Sequence, residues 1–385
     1  MLRSHPYGAQ FLSAKDSPEL FEALHERILF RYSTQDPSVS DRLEAHATQR
    51  FGVAGALTCP NGTQALRLAL LATRPVSGSR VYIPAVTFVA VAGAVLSLGL
   101  IPVCVDVVDN FALDPSLLPE GAERVIVAYM DGMVAPVPQG PAFVIEDSAQ
   151  AMGGRHADGR SVGSVGFAGT FSFQHAKVLT SGEGGLVVTR FGETRDLMRS
   201  YSDHGSTREQ GKYPEWNDGA FFGENLRSNE AVAAVQLQQF RALDHILERL
   251  ERHHASAVSA LAGVDSVSLV PRTTGDPKVS VHIEFSDAEA RTAAQTELDG
   301  ADLPSWSLDK YLLPDHPVLR SKASLFADGY PWSFDPNASH LSRDGFASTR
   351  AHLARRLVLP LAPEMTDAEQ DDLVGRYVTA LGASA

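Results

Sequence analysis

Lys177 is the residue in this sequence best placed to do chemistry. An apolar, strand-like run from Phe167 to Phe173 leads into it. A glycine-rich turn, Ser181-Gly182-Glu183-Gly184-Gly185, leads out into a second such run, Leu186 to Thr189. Its neighbours are serine, threonine and glycine rather than charges. An amine held out of water is a nucleophile towards a carbonyl and can hold it as a Schiff base; the plain alternative is a solvated surface lysine. Two other places complement it. Asp147 ends the apolar run Phe143–Glu146, where a carboxylate is costly to desolvate without a partner. It reads either as the cap of the next segment or as an anion facing a protonated ring nitrogen. Gly62-Thr63 follows Pro60-Asn61 and opens the helix-forming run Gln64–Ala72. Bare N–H groups at such a helix start suit a phosphate, although a simple capped helix has the same look. Amine, acid and phosphate cradle together point to pyridoxal phosphate (PLP) held at Lys177.

Each of these residues needs a strand end to hold it. Short, continuous apolar runs are expected as strands at Ala54–Cys59, Val81–Val86, Ile101–Val107, Val125–Met130 and Phe143–Glu146, alternating with helical patterns. That alternation predicts an α/β fold with a mainly parallel sheet covered on both faces. Ligands in such sheets gather at the carboxyl ends of strands, where Gly62-Thr63, Thr87-Phe88 and Asp147 all fall. Tyr201–Phe222 is a long, irregular, aromatic-containing segment of the kind that often carries function. A long helix is expected from Glu224 to about Leu261. Beyond it, Val279–Phe285 alternates strictly and predicts a strand with one wet face. Asp287–Glu297 and Thr366–Leu381 read as helices, and 304–346 resists assignment. The expected organisation is a large domain over 1–245 and a smaller α+β domain over 246–385.

The bulk numbers narrow the function classes. A chain of 385 residues, 44% hydrophobic and 21% charged, is long enough for two domains and a large core. A net charge of -13 argues against nucleic acid or an anionic membrane as partner. No apolar run approaches the ~18–20 residues of a membrane helix, and the N-terminus has no apolar signal core. The two cysteines, Cys59 and Cys104, lie in apolar stretches, which fits a reduced cytoplasm. No metal-binding pattern is expected.

The chain resembles the DegT/DnrJ/StrS aminotransferases, PLP enzymes of fold type I that make amino sugars and aminocyclitols. The residues that carry the resemblance are Asn61-Gly62-Thr63-Gln64-Ala65-Leu66, Thr87-Phe88-Val89-Ala90, Glu146-Asp147-Ser148-Ala149-Gln150-Ala151, Phe171-Ser172-Phe173 with Lys177 four residues on, Gly182-Glu183-Gly184-Gly185 and Asn225-Leu226-Arg227. The resemblance implies a seven-stranded, mainly parallel sheet in the large domain. It implies Lys177 as the cofactor-linked lysine, Asp147 as partner of the pyridine nitrogen, Gln150 near the phenolic oxygen and Phe88 stacked on the ring. Gly62, Thr63 and Ser172 match phosphate-binding positions. Asn225 matches an asparagine lent to the neighbouring subunit, which implies a homodimer with shared sites.

Departures from the family pattern bear on the substrate. Tyr129-Met130-Asp131-Gly132 stands where His-Leu-Tyr-Gly is common, Asn225-Leu226-Arg227-Ser228 for Asn-Tyr-Arg-Met, and Gln174-His175-Ala176 for Tyr-Pro-Gly. The Lys177 neighbourhood is most similar to the aminocyclitol branch, which aminates scyllo-inosose-type ketones with glutamine or glutamate as donor. The 3-amino-5-hydroxybenzoate synthases and the nucleotide-ketosugar branch share parts of the pattern, and a non-catalytic cofactor- or sugar-binding regulator is the alternative of another class. A few relatives carry histidine in place of the lysine and dehydrate; here that position falls on Lys177, not His175. His204, Lys212, Trp216 and Arg227 are candidate substrate contacts, with loop shaping or a solvated surface as the alternative. Arg343 and Arg350 are candidates for fixing a carboxylate.

Overall fold

The computed structural model describes residues 12–382 apart from 14, 16, 34–36, 210–211, 219 and 336–344. Along the chain lie α1 (Pro18–His25), α2 (Val39–Phe51), β1 (Gly55–Cys59), α3 (Gly62–Ala72), β2 (Arg80–Pro84), α4 (Val89–Ser97), β3 (Ile101–Val105), β4 (Arg124–Ala128), β5 (Phe143–Asp147), β6 (Ala168–Ser172), β7 (Gly185–Thr189) and α5 (Gly192–Ser202). The long helix α6 (Glu230–Leu261) follows. After it come β8 (Ser268–Leu269), β9 (Ser280–Glu284), α7 (Ala288–Gly300), α8 (Pro317–Arg320), α9 (Ala347–Leu353), β10 (Arg356–Pro360) and α10 (Asp367–Gly382).

Strands β1 to β7 form one sheet in the order β1-β7-β6-β5-β4-β2-β3. β7 is antiparallel to both its neighbours, β1 and β6; the other pairings are parallel. The continuous apolar runs follow from burial on two faces. Ile126, Ile145 and Val187 join the core on one face, while Val125, Val127, Val144, Leu186 and Val188 join the other. The fold is therefore α/β, with helices covering a mostly parallel seven-stranded sheet, as the sequence predicts. Several strands end earlier than expected: β2 stops at Pro84, β3 at Val105 and β4 at Ala128. Beyond β2 and β4 the chain turns out of the ladder, and Thr87, Phe88, Tyr129 and Met130 line the site; beyond β3, Val107 bridges Leu113 instead.

A second, antiparallel sheet has the order β10-β9-β8. The wet face expected for the Val279–Phe285 strand is absent. Ser280 and His282, its polar face, are fully buried, as are Val281 and Ile283. The alternation is real, but the polar side chains face a buried carboxylate, Asp131, rather than water. α6 is one unbroken helix, begun by an Asn229 cap that accepts the Val232 N–H. The division expected at 245/246 falls inside it. Its first half carries Asp244, paired with Arg50 of α2; its second carries His253 and Ser256, which meet Asp367 and Asp371 of α10.

The stretch that resisted assignment, 304–346, returns to the large sheet where it is described. Leu313 N–H donates to Ala85 O (2.8 Å), Thr87 N–H to Tyr311 O (3.0 Å), and Val86 bridges Leu312. It thus pairs with the chain just beyond β2. Among the described residues, no helix is long and apolar enough to cross a membrane, and no cluster of His, Cys, Asp and Glu could hold a metal ion.

Candidate active site

The carboxyl ends of β1, β2, β4, β5 and β6 open into one cavity of about 670 Å³. It is lined by Gly62, Thr63, Phe88, Asp147, Gln150, Ser172 and Lys177, so seven of the residues singled out from sequence meet in one place. The register explains how. Ser172, Gly185 and Cys59 lie side by side across β6, β7 and β1. A Cβ on Gly185 would lie 2.3 Å from Asn61 O and 2.7 Å from Cys59 Sγ, so only glycine lets the turn after Lys177 close against the start of α3. A Cβ on Gly62 would likewise lie 2.8 Å from Ser172 Cβ. The Ser172 hydroxyl is thereby pressed against the N-terminus of α3.

That N-terminus is only partly capped. The Asn61 side chain accepts the Gln64 N–H (2.9 Å), and the N–H groups of Gly62 and Thr63 have no acceptor within the described chain. Two free amides, the hydroxyls of Thr63 and Ser172, and the positive end of an 11-residue helix make a cradle for a phosphate. Thr87 also lines the cavity, and its buried hydroxyl has no hydrogen-bond partner.

Asp147 ends β5. One carboxylate oxygen accepts the Ala149 N–H (3.1 Å), and the other takes no hydrogen bond from the described residues. Burial pushes its carboxyl above the ordinary value, partly offset by the Ala149 N–H and by Lys177. Lys177 is carried by the loop between β6 and β7, its N–H bonded to Gln174 O (3.0 Å). Burial lowers its ammonium below the ordinary lysine value, against the pull of Asp147 first and Asp131 second. Among the described residues lining the cavity, Lys177 is the only cation.

Just behind Asp147, Glu146 is completely buried and accepts five hydrogen bonds. They come from Tyr129 OH (2.7 Å), His156 Nε2 (2.9 Å) and the N–H groups of Gly163, Val165 and Gly166 (2.8, 2.7 and 2.6 Å). Burial opposes its charge, but these donors, His156 foremost, hold its carboxyl below the ordinary range. The glycine-rich loop 151–166 is thereby tied to the end of β5.

The remaining candidates lie elsewhere. Asn225 is exposed and outside this cavity; it bridges Asp203. His204 is exposed at φ 63°, and its carbonyl accepts Trp216 Nε1–H (3.2 Å), so it shapes the loop. Lys212 pairs with Glu209, and Arg227 with Asp203. Arg350 pairs with Asp315 (2.8 Å), and Arg343 lies outside the described residues. Asn225, His204, Lys212, Trp216, Arg227 and Arg350 are not among the residues lining the cavity of their own chain. Tyr311, absent from the sequence reading, does line it, its ring 6.4 Å from that of Phe88. Nothing local in Asp309-Lys310-Tyr311 signals this; it follows from the pairing with residues 85–87.

The chain is 34% identical over 229 residues to the L-glutamine:2-deoxy-scyllo-inosose aminotransferase of Streptoalloteichus tenebrarius, a match covering 54% of this chain and only about half (53%) of that relative's length. It is 31% identical over 353 residues to a UDP-N-acetyl-3-dehydro-alpha-D-glucosamine 3-aminotransferase of Acidithiobacillus ferrooxidans, covering 88% of this chain and 86% of that one. In fold it matches the PLP form of a putative sugar aminotransferase from Streptococcus pneumoniae, with a TM-score of 0.79, 19% identity and 97% of each chain covered. The DegT/DnrJ/EryC1/StrS aminotransferase family model matches residues 31–303, and the chain belongs to that family.

Proposed function

We propose that this protein is a PLP-dependent aminotransferase that moves nitrogen from glutamine or glutamate to a cyclic polyol ketone of scyllo-inosose type, in a biosynthetic pathway. One observation carries the reading. The unbonded oxygen of Asp147, the free amides of Gly62 and Thr63, and the amine of Lys177 all belong to a single cavity. These fit the three polar ends of PLP: ring nitrogen, phosphate and aldehyde. When bound, the cofactor supplies an electron sink for the carbon whose C–H bond breaks. The protein does the rest. Asp147 would be drawn back to its charged form by a protonated ring nitrogen and would keep that proton in place. Phe88 and Tyr311 would wall the ring. Lys177, its charge weakened by burial, would hold the aldehyde and, once released, carry the proton at the reacting carbon.

A second reading, a nucleotide-ketosugar substrate, is favoured by the longer match to the UDP-sugar relative. We place the working form as a homodimer in which Asn225 serves the neighbouring site. Asn225 is exposed outside its own cavity, and Tyr213, Trp216 and Phe222 on the preceding segment are exposed aromatics of the kind interfaces use. Two buried free thiols, Cys59 and Cys104, suit a reduced cytoplasm.

The purified protein loaded with PLP is expected to absorb near ~410–430 nm and to lose that band on adding its amino donor. Borohydride should fix the cofactor to wild type and not to Lys177→Ala. A wild type that takes up no PLP defeats the enzyme reading, and an adduct that survives in Lys177→Ala moves the attachment elsewhere. A ketone panel assayed with glutamine and with glutamate separates cyclitol from nucleotide-sugar substrates.

A further inference from the structure

The small sheet reaches the cavity wall through one residue. After β4 the chain makes a tight 3-10 turn, Met130–Gly132, in which Asp131 sits at φ 51°, ψ 31°. This left-handed conformation is uncommon for a residue with a side chain, although aspartate enters it more readily than most. The Asp131 carbonyl accepts from Arg272 Nη2 (2.8 Å). One carboxylate oxygen accepts from the Ser280 hydroxyl and from His282 Nε2 (2.6 Å), both on β9 and both fully buried. His282 Nδ1 is buried without a partner, which suits the neutral ring with its proton on Nε2. Held this way, the Asp131 N–H points at Gln150 Oε1 (2.8 Å). The Gln150 NH2 has one contact, a weak one to Met130 Sδ at 3.7 Å. Gln150 therefore has an NH2 donor to spare for the cavity.

Resting on the PLP reading above, we propose that Asp131 and His282 are a positioning pair: by holding the Met130–Gly132 turn they fix Gln150 with its amide NH2 towards the phenolic oxygen of the cofactor. Met130 and Gln150, both cavity-lining, flank Asp131 in the fold. The titratable groups nearest the pair include Lys177 and Tyr311 on the side of Asp131 and His254 on the side of His282. Asp147 also faces Lys177, Glu183 lines the cavity, Arg272 lies beside Asp131, and Arg356 lies behind His282.

The test is the absorbance of PLP-loaded protein against pH, which reports protonation of the nitrogen joining Lys177 to the cofactor. A donor to the ring's phenolic oxygen favours the deprotonated form and lowers the midpoint of that change, so a Gln150 that loses its orientation raises it. His282→Leu, which leaves the Asp131 carboxylate in place but loses the bond that holds the turn, is expected to raise it by ~1 pH unit and to weaken PLP retention on dialysis. His282→Gln, which keeps a donor, should stay near wild type. A wild type that binds no PLP defeats the functional reading itself. A wild type with a clear midpoint that His282→Leu leaves unmoved, even at lower thermal stability, overturns this inference alone. Should His282→Leu fail to fold, an unmoved midpoint in Ser280→Ala has the same force.

Discussion

At the residue scale, Lys177 and Asp147 each have their charge disfavoured by burial, offset only in part by the other and, for Asp147, first by the Ala149 N–H. This is the usual signature of groups kept for chemistry rather than for stability. Asp147→Asn keeps the shape and the bond to Ala149 N–H but removes the anion. With saturating PLP, its turnover should fall by ~10²-fold or more, while its unfolding midpoint stays at or above that of wild type, because a buried carboxylate has gone. Turnover near wild type would show that Asp147 does not hold the ring nitrogen's proton.

At the scale of elements, the site depends on loops pinned at strand ends. The clearest pin is Glu146, which ties loop 151–166 and Tyr129 to β5. Because its folded carboxyl titrates below the unfolded one, its contribution is present above the unfolded value of ~4.3 and is lost as pH falls through the folded value. Glu146→Gln places an NH2 group among N–H donors and should cost ~3 kcal/mol at neutral pH. Urea unfolding at a series of pH values should show that deficit shrink as the wild-type carboxylate is protonated in acid. A deficit that does not change with pH would mean the charge is not what holds the loop. β9 is the second pin: its polar face, prepared by sequence for water, is used on Asp131 instead.

At the scale of the whole molecule, the strand ends of the large sheet and Tyr311 line the cavity, and the proposed dimer would complete it. If Asn225 serves the neighbouring subunit, Lys177→Ala and Asn225→Ala proteins should each be weak alone. Mixed under conditions that exchange subunits, they should recover to about a quarter of wild-type activity, since half the dimers are hybrids with one intact site. No recovery from verified hybrids would place Asn225 outside the shared site.

The sequence by itself determined the parallel core and most of the cavity. Short, doubly apolar strands can be buried only on both faces of a sheet, and their carboxyl ends must then lie on one edge. Gly62, Thr63, Phe88, Asp147, Gln150, Ser172 and Lys177 all sit at or just past such ends, so local order along the chain was enough to bring them together. Tertiary structure decided what depends on distant pairing. Tyr311 enters only because 311–313 pairs with 85–87. The alternating strand Ser280–Glu284 is dry only because Asp131, about 150 positions earlier, meets its polar side. Period-two alternation says that two faces differ; it carries no information about whether the polar one meets water or a buried carboxylate.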